Sequence, residues 1–202
     1  MPFSVANKTR LSLAPGAVGT YSSPLLAPLQ SSGGRGLGIT FPLTPDVTYS
    51  QSVNYSPYEL THTNYGFNAY RNTPSPMIQI AAQFASVTQS EAEYTLASLH
   101  FLRSVSKMFF GQGDPLAGTP PPVLRFSSFG TQQFNNVRVV LANFATTYDS
   151  GVDLKEINGQ SIPVMQTFAI DLLVQQSPDR QKQQYTTKSG FISGSAYSQG
   201  FI

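Results

Sequence analysis

The sequence predicts a mainly β domain with one long helix packed on its flank. Two observations point to this fold class. Several segments of the 202-residue chain alternate apolar and polar residues, which is the period of a strand with one buried face. Only one segment combines a helix start signal, helical apolar spacing and a stop signal. Sheet-on-sheet or barrel-like packing, with the helix beside it, is the natural way to bury these faces.

The predicted strands range from one short segment near residue 40 to two long segments in the second half of the chain. In one of them Ile78 and Ile80 face one side, and Gln79 and Gln83 face the other. Two turn signals, Ser150–Gly151 and Asn158–Gly159, lie in the connection between the last two predicted strands. The predicted strands are LGITFPL (37–43), VTYSQSVNY (47–55), PMIQIAAQFASV (76–87), VLRFSSFG (123–130), NNVRVVLANFATTYD (135–149) and IPVMQTFAIDLLVQQ (162–176).

The predicted helix is defined by signals at both of its ends. Thr88 is a good N-cap, and Glu91, three residues later, completes a capping box. Arg103 and Lys107 stand near the other end, where the helix dipole favours positive charge. Gly111 supplies the stop, so the helix is expected at about 88–110. Its apolar residues span a wide face, and we expect this helix to be covered on more than one side.

Composition divides the chain into three parts. Residues 1–36 and 177–202 are predicted to be extended N- and C-terminal arms, and residues 37–176 the β domain with its inserted helix. The arms hold six basic residues and one acidic residue, whereas the β domain holds nine acidic and six basic residues. Residues 1–36 cannot bury enough surface to fold alone, so they must pack on their own domain or on a partner.

Basic arms on one copy would be attracted to the acidic body of a neighbouring copy, so we expect the arms to lie on neighbouring copies. Salt would weaken this attraction. No basic cluster is dense enough for a nucleic-acid footprint. The arms therefore provide four predicted inter-subunit contacts, namely Lys8, Arg10, Arg180 and Lys182.

The chain as a whole carries few charges. Charged residues make up 11% of it, against about a quarter in an average soluble domain. A surface this poor in charge is weakly protected against association, which favours a subunit covered by neighbours. The alternative is a secreted all-β domain with a surface rich in Thr, Ser and Gln. Without cysteines, a signal peptide or an apolar run of membrane-spanning length, we expect a soluble protein made in a cytosol.

Candidate catalytic residues form no convincing set. His62 and His100 are the only histidines, and neither has a carboxylate at metal-ligand spacing. Glu91 and Glu93 point to different helix faces, which does not suit a glycosidase pair. Ser104-x-x-Lys107 matches an acyl-enzyme pattern without its companion motifs. We therefore expect no catalysis, no cofactor and no metal site.

The stretch PYELTHTNYGFNAYRNTPSP (57–76) is too aromatic for an ordinary surface loop and too polar for a buried strand. A subunit interface needs both properties. We therefore predict inter-subunit contacts at Tyr65, Phe67, Tyr70 and Arg71. The alternative is a carbohydrate-binding module whose aromatic platform would comprise Tyr55, Tyr58, Tyr65, Phe67 and Tyr70.

Three segments in this order carry a resemblance to a known family. NAYRNTPSP precedes a strand, SEAEYTLASLHFLR is the helix, and GTPPPVLRFS precedes the next strand. Over about residues 37–185, the chain resembles the baseplate tube-initiator proteins of contractile-tailed bacteriophages. The resemblance implies a tail-tube-like fold, that is, a β-sandwich or half-barrel with one flanking helix.

The same resemblance implies a structural role in the virion. Six copies would form a homo-hexameric ring that connects the baseplate hub protein to the tail tube or to a second initiator ring. The ring would initiate tube polymerisation and line a channel through which DNA passes as transient cargo. Sheath or wedge proteins are further implied partners, without a membrane, and assembly would occur in the bacterial host cytoplasm. The alternatives are a major tail tube protein and a receptor- or glycan-binding tail module.

Overall fold

The computed structural model describes residues 8–17, 21, 23–30, 36–157, 159–182 and 187–202. Its strands are β1 (Arg10–Leu13), β2 (Gly38–Thr40), β3 (Asp46–Ser50), β4 (Asn54–Tyr58), β5 (Phe67–Asn72), β6 (Met77–Ala85), β7 (Leu124–Ser128), β8 (Phe134–Tyr148), β9 (Leu154–Ile157), β10 (Gln160–Pro163) and β11 (Met165–Val174). Its α-helices are α1 (Gln89–Val105), α2 (Pro178–Gln181), α3 (Lys188–Ser193) and α4 (Ser195–Ser198), and a 3-10 helix covers Pro24–Leu29.

Seven of these strands form one antiparallel sheet, in the order β2-β1-β7-β8-β11-β6-β3. The other strands form two separate hairpins, β4–β5 and β9–β10. One face of the sheet packs against α1 and the 3-10 helix to form the core. The buried residues of this core include Leu11, Leu13, Leu26, Leu29, Ile39, Ile78, Ile80, Phe84, Phe101, Leu102, Phe126, Val137, Val139, Phe168, Ile170 and Leu172.

Aromatic contacts join strands that are not neighbours in the sheet. Tyr49 on β3 meets Phe134 at the start of β8 edge to face, with ring centroids 6.1 Å apart. Phe134 in turn packs on Phe126 of β7, at 5.3 Å. These contacts link the β3 edge to the start of β8 although the two strands are not neighbours in the sheet. The predicted mainly β fold with one long flanking helix is confirmed.

Helix α1 begins where the sequence predicts and ends earlier. The Thr88 hydroxyl accepts from the Glu91 N–H, and the Glu91 carboxylate accepts from the Thr88 N–H, which completes the capping box. The predicted end near residue 110 is wrong, since the helix ends at Val105. The Ser106 hydroxyl binds the Arg103 carbonyl, and the Phe109 backbone pairs with a loop at residues 118 and 119, which draws the chain off the helix axis.

Part of the predicted N-terminal arm is a strand of the sheet. β1 lies between β2 and β7, and Leu11 and Leu13 on it are buried. The 3-10 helix adds Leu26 and Leu29 to the same core. The folded body therefore begins ahead of the expected boundary at residue 36. A four-residue strand gives little local signal, since its stability comes from two partner strands that are far away in the sequence.

The described part of the predicted C-terminal arm also folds back on the body. The Gln176 amide donates to the Gly200 carbonyl at 2.7 Å, and the Arg180 guanidinium lies 5.2 Å from the centroid of the Phe201 ring. Gly200 has a φ of 78°, and a Cβ there would lie 2.7 Å from the Asn136 carbonyl oxygen. This close approach fixes the C-terminal segment against the start of β8.

Two predicted strands are interrupted in the structure. The segment 47–55 is divided at residues 51–53, between β3 and β4. The segment 162–176 is divided at Val164, between β10 and β11. There the Val164 N–H donates to the Asp153 carbonyl, and the Val164 carbonyl accepts from the Ser86 N–H. These bonds interrupt the regular pairing of the strand.

Candidate subunit interfaces

The aromatic stretch of the sequence forms a hairpin outside the core. β4 and β5 pair from Asn54 opposite Asn72 to Tyr58 opposite Phe67, and residues 57–73 are all exposed. We call residues 54–72 the aromatic hairpin. A two-stranded hairpin is at best marginally stable in water by itself, so this one gains most from a partner that covers it.

The structure brings all four predicted aromatic-stretch contacts onto this hairpin. Tyr65 is 86% exposed and lies in its loop, and Phe67 and Tyr70 on β5 are each 62% exposed. Phe67 lies opposite Tyr58, and Arg71 lies where the register of the two strands shifts. Tyr70 lies on the face opposite to Phe67, beside Tyr55, its partner in register. The aromatic hairpin thus presents large aromatic side chains on both faces.

This arrangement bears on the carbohydrate alternative. The rings of Tyr55 and Tyr70 meet at 79°, with centroids 6.2 Å apart. A flat sugar ring stacks best on coplanar aromatic rings that share one face. The aromatic side chains of this hairpin are divided between two faces and its loop, which disfavours a single platform.

The two edges of the main sheet differ in their availability. At β2 the Tyr94 hydroxyl of α1 occupies the outer N–H and carbonyl of Thr40. At β3 no described strand pairs with the outer side. An unpaired strand edge is a template for pairing with another chain. Residues 51–53 connect this edge directly to the aromatic hairpin, so edge and hairpin form one continuous surface.

The outer face of β3, β6, β11 and the second half of β8 is not covered by other described elements. We call it the outer sheet face. Asp171 at its centre accepts from the side chains of Gln79 and Asn143, each at 3.2 Å. This face includes no Lys or Arg, and large apolar side chains stand only at its ends, namely Met77, Met165 and Leu173. Its other side chains are mostly small, polar or acidic: Asp46, Thr48, Gln79, Ala81, Gln83, Asn143, Ala145, Thr147, Thr167, Ala169 and Asp171.

The four basic residues predicted as inter-subunit contacts lie in different settings. Arg10 on β1 donates to the Gly36 carbonyl at 2.7 Å, and Arg180 donates to the Gln199 carbonyl at 2.8 Å. Lys8 and Lys182 are exposed. Contacts of these four with a neighbouring subunit remain predictions.

Sequence reasoning missed a pair of arginines on the main sheet. Arg125 on β7 and Arg138 on β8 are directly opposite each other. Burial, together with the positive charges of Arg138 and Arg180, lowers the pKa of the Arg125 guanidinium. Both positions alternate with buried apolar residues in the segments LRF and VRV, and this pattern could have placed them on one outer surface.

The residues considered for catalysis have structural contacts. The Ser104 hydroxyl donates to the His100 carbonyl at 2.7 Å. Hydrogen bonds from the Thr88 backbone and side chain lower the pKa of Glu91, as expected for a capping residue. His62 is exposed in the loop of the aromatic hairpin, with a φ of 65°. Within the described ranges, no three His, Cys, Asp or Glu side chains converge on a possible metal position.

In the part of the chain that the structure describes, no helix has both the length and the apolar character needed to cross a bilayer.

Comparisons with known proteins give structural similarities and no sequence match. A comparison with family models finds no match, and neither does a comparison with curated protein sequences. One similar solved structure is the tail of an empty GTA particle with C6 symmetry, at 8% identity and a TM-score of 0.38, covering 88% of this chain and 96% of that one. Another is the sheath/tube terminator of the PVC extracellular contractile injection system in its extended state, at 11% identity and a TM-score of 0.33, covering 87% and 94%.

Proposed function

We propose that this chain is a structural subunit of a contractile phage tail or baseplate. Six copies form a ring that connects the central hub to the tail tube, initiates tube polymerisation and lines the DNA channel. The sequence resemblance over about residues 37–185 supports the proposal. The structural observation that carries it is the aromatic hairpin, which lies outside its own core with aromatic side chains on both faces.

The aromatic hairpin has the composition of a buried interface. Fully burying a large apolar side chain contributes about 1.5–3 kcal/mol, and soluble monomers rarely expose a contiguous patch of several such side chains. Since Tyr55 and Tyr70 lie on one face and Tyr58 and Phe67 on the other, one flat partner could cover only half of them. Insertion between two neighbouring surfaces covers both faces, and a ring or a stack of rings supplies such surfaces.

The sheet edges favour a contact between unlike surfaces of two copies. The β3 edge is available, whereas Tyr94 blocks the β2 edge. Simple edge-to-edge pairing of β3 with β2 is therefore disfavoured, and the surface formed by β3 and the aromatic hairpin meets a different surface of the next copy. Such heterologous contacts produce a closed ring when the rotation between copies closes. The number six comes from the family resemblance.

The outer sheet face is suited to line the channel. It carries Asp46 and Asp171 among mostly small and uncharged polar side chains, with Met77 and Met165 at its ends. A surface without Lys or Arg has no strong attraction for the phosphates of moving DNA. A strongly positive potential in the lumen of the assembled ring would contradict this assignment.

A major tail tube protein is the second candidate, because an available strand edge and an exposed hairpin also suit subunits that stack on copies of themselves. Counting the chain in purified particles separates the two candidates. An initiator is present in six copies whatever the tail length, while a tube protein increases in number with tail length. A chain missing from the particle would contradict both, and a trimer with an exposed aromatic hairpin would favour a binding module.

A further inference from the structure

The surface that the proposed function leaves without a role is the basic cluster, which comprises Arg125, Arg138 and Arg180. Arg125 and Arg138 are opposite each other on β7 and β8. Like charges directly opposite on a sheet repel each other and destabilise it. Arg180 on α2 is held beside them by the Gln199 carbonyl and by the ring of Phe201. Its charge also lowers the pKa of both strand arginines, after the larger effect of burial.

Within the described residues, no side-chain carboxylate is paired with the basic cluster. The Nε atoms of Arg125 and Arg138 are buried and have no hydrogen-bond partner in the described part of the chain. All ten acidic residues of the sequence are in that part. None of these carboxylates is hydrogen-bonded to the three guanidinium groups, and those of Arg125 and Arg180 donate to backbone carbonyls. The three side chains are partly buried and their like charges lie close together, so an anion from outside the chain would stabilise this surface.

A complementary acidic surface lies at the other end of β8. Asp149, Asp153 and Glu156 are exposed within residues 149–156, which we call the acidic segment. Its one basic residue, Lys155, is hydrogen-bonded through Nζ to the Val87 carbonyl, so its ammonium group is held at the start of α1. Asp149 follows Arg138 by eleven residues along the strand, which corresponds to roughly 35 Å at about 3.3 Å per residue.

We propose that the basic cluster is a docking site for the acidic segment of a second copy of this chain. The two surfaces have opposite charge and lie at opposite ends of one long strand. They cannot meet within a single subunit, whereas two copies placed head to tail bring them together. Repeated, this contact generates a ring or a stack. The inference rests on the proposed function, to which it adds the surface that joins successive copies.

Charge reversal in the full-length chain tests this contact. Self-association is measured by sedimentation velocity over a wide range of protein concentration, in low salt and in about 0.5 M salt, where charge contacts are screened. Arg138→Glu and Asp153→Lys should each weaken self-association by roughly tenfold or more in low salt. The double variant should recover it, and so should a mixture of the two single variants. Arg103→Glu, an exposed position on α1, is the control for the same change in net charge.

The possible results either support the inference or overturn it. The inference is supported if each single variant self-associates more weakly than the wild type and the mixture of the two recovers self-association. Each variant must also keep the circular dichroism spectrum of the wild type. Self-association that is unchanged by Arg138→Glu overturns it and leaves the proposed function standing. A wild-type chain that stays monomeric in low salt, or a basic cluster that binds duplex DNA instead, also overturns it. The copy number in particles tests the proposed function separately.

Discussion

The hydroxyl of Tyr94 binds both backbone groups that Thr40 presents at the edge of the main sheet. It accepts from the Thr40 N–H at 2.6 Å and donates to the Thr40 carbonyl at 2.8 Å. Residues on either side of Thr40 use their own backbone groups to pair with β1, so these two groups face outward. One side chain from α1 therefore closes the β2 edge, and β3 remains the available one.

Replacing Tyr94 by Phe should destabilise the monomer and open this edge. The ring keeps its packing, but two hydrogen bonds to Thr40 are lost, each worth about 1 kcal/mol. We expect the free energy of unfolding in urea to fall by about 1–2 kcal/mol, with increased aggregation. Tyr148→Phe is the control, because Tyr148 is exposed and its change should be within about 0.5 kcal/mol. Equal effects of the two substitutions would contradict the role of Tyr94.

Alkaline pH should weaken the same contact. Burial raises the pKa of Tyr94, although its bonds to Thr40 act in the opposite direction. A tyrosine whose folded pKa is above its unfolded value of about 10 stabilises the fold fully below that pH and loses this contribution as the pH rises. Denaturant unfolding from pH 9 to 11 should show a steeper loss of stability in the wild type than in Tyr94→Phe. If the free energy of unfolding falls equally with pH in the wild type and in Tyr94→Phe, the ionisation of Tyr94 does not affect the stability of the fold.

The N-terminal segment should be essential for the stability of the domain. Leu11 on β1 is 0% exposed, whereas Leu25 on the 3-10 helix is 60% exposed. Leu11→Ala should lower the free energy of unfolding by about 3–5 kcal/mol, since it leaves a cavity in the core. Leu25→Ala should change it by less than about 0.5 kcal/mol. If Leu11→Ala changes the free energy of unfolding only slightly, the result would support the prediction that residues 1–36 are an arm outside the folded domain.

The aromatic hairpin should matter for assembly and not for folding. Phe67→Ser should leave the melting temperature of the monomer unchanged, because Phe67 is 62% exposed and is not part of the hydrophobic core. It should reduce incorporation of the chain into particles by at least tenfold, since a central aromatic contact is worth about 2 kcal/mol or more. Phe110→Ser is the control, as an exposed phenylalanine outside the hairpin. If both variants assemble equally well, the hairpin is not the principal contact.

Local signals predicted the start of α1 and most of the sheet. Thr88 and Glu91 form the capping box that their spacing indicates, because a capping box depends only on residues within one turn. β7 and β8 lie where alternation places them. The alternating pattern also identified Ile78 and Ile80 as core residues, since burial on one face is a property of each strand by itself.

The features that the sequence did not predict depend on distant residues. β1 is a strand only because β2 and β7 lie on either side of it. Arg125 and Arg138 are 13 positions apart in the sequence, and their pairing follows from the register of β7 with β8. The predicted contacts Tyr65, Phe67, Tyr70 and Arg71 could be named from composition alone. Their division between two hairpin faces required the structure.

The most direct test of the central claim is a cryo-electron microscopy reconstruction of the assembled particle, with measurement of the solvent exposure of the aromatic hairpin. We expect a ring of six copies in which Tyr65, Phe67, Tyr70 and Arg71 are buried between neighbouring subunits and the outer sheet face surrounds the channel. A particle in which these four side chains remain as exposed as in the monomer would contradict the account and favour a ligand-binding role for the hairpin.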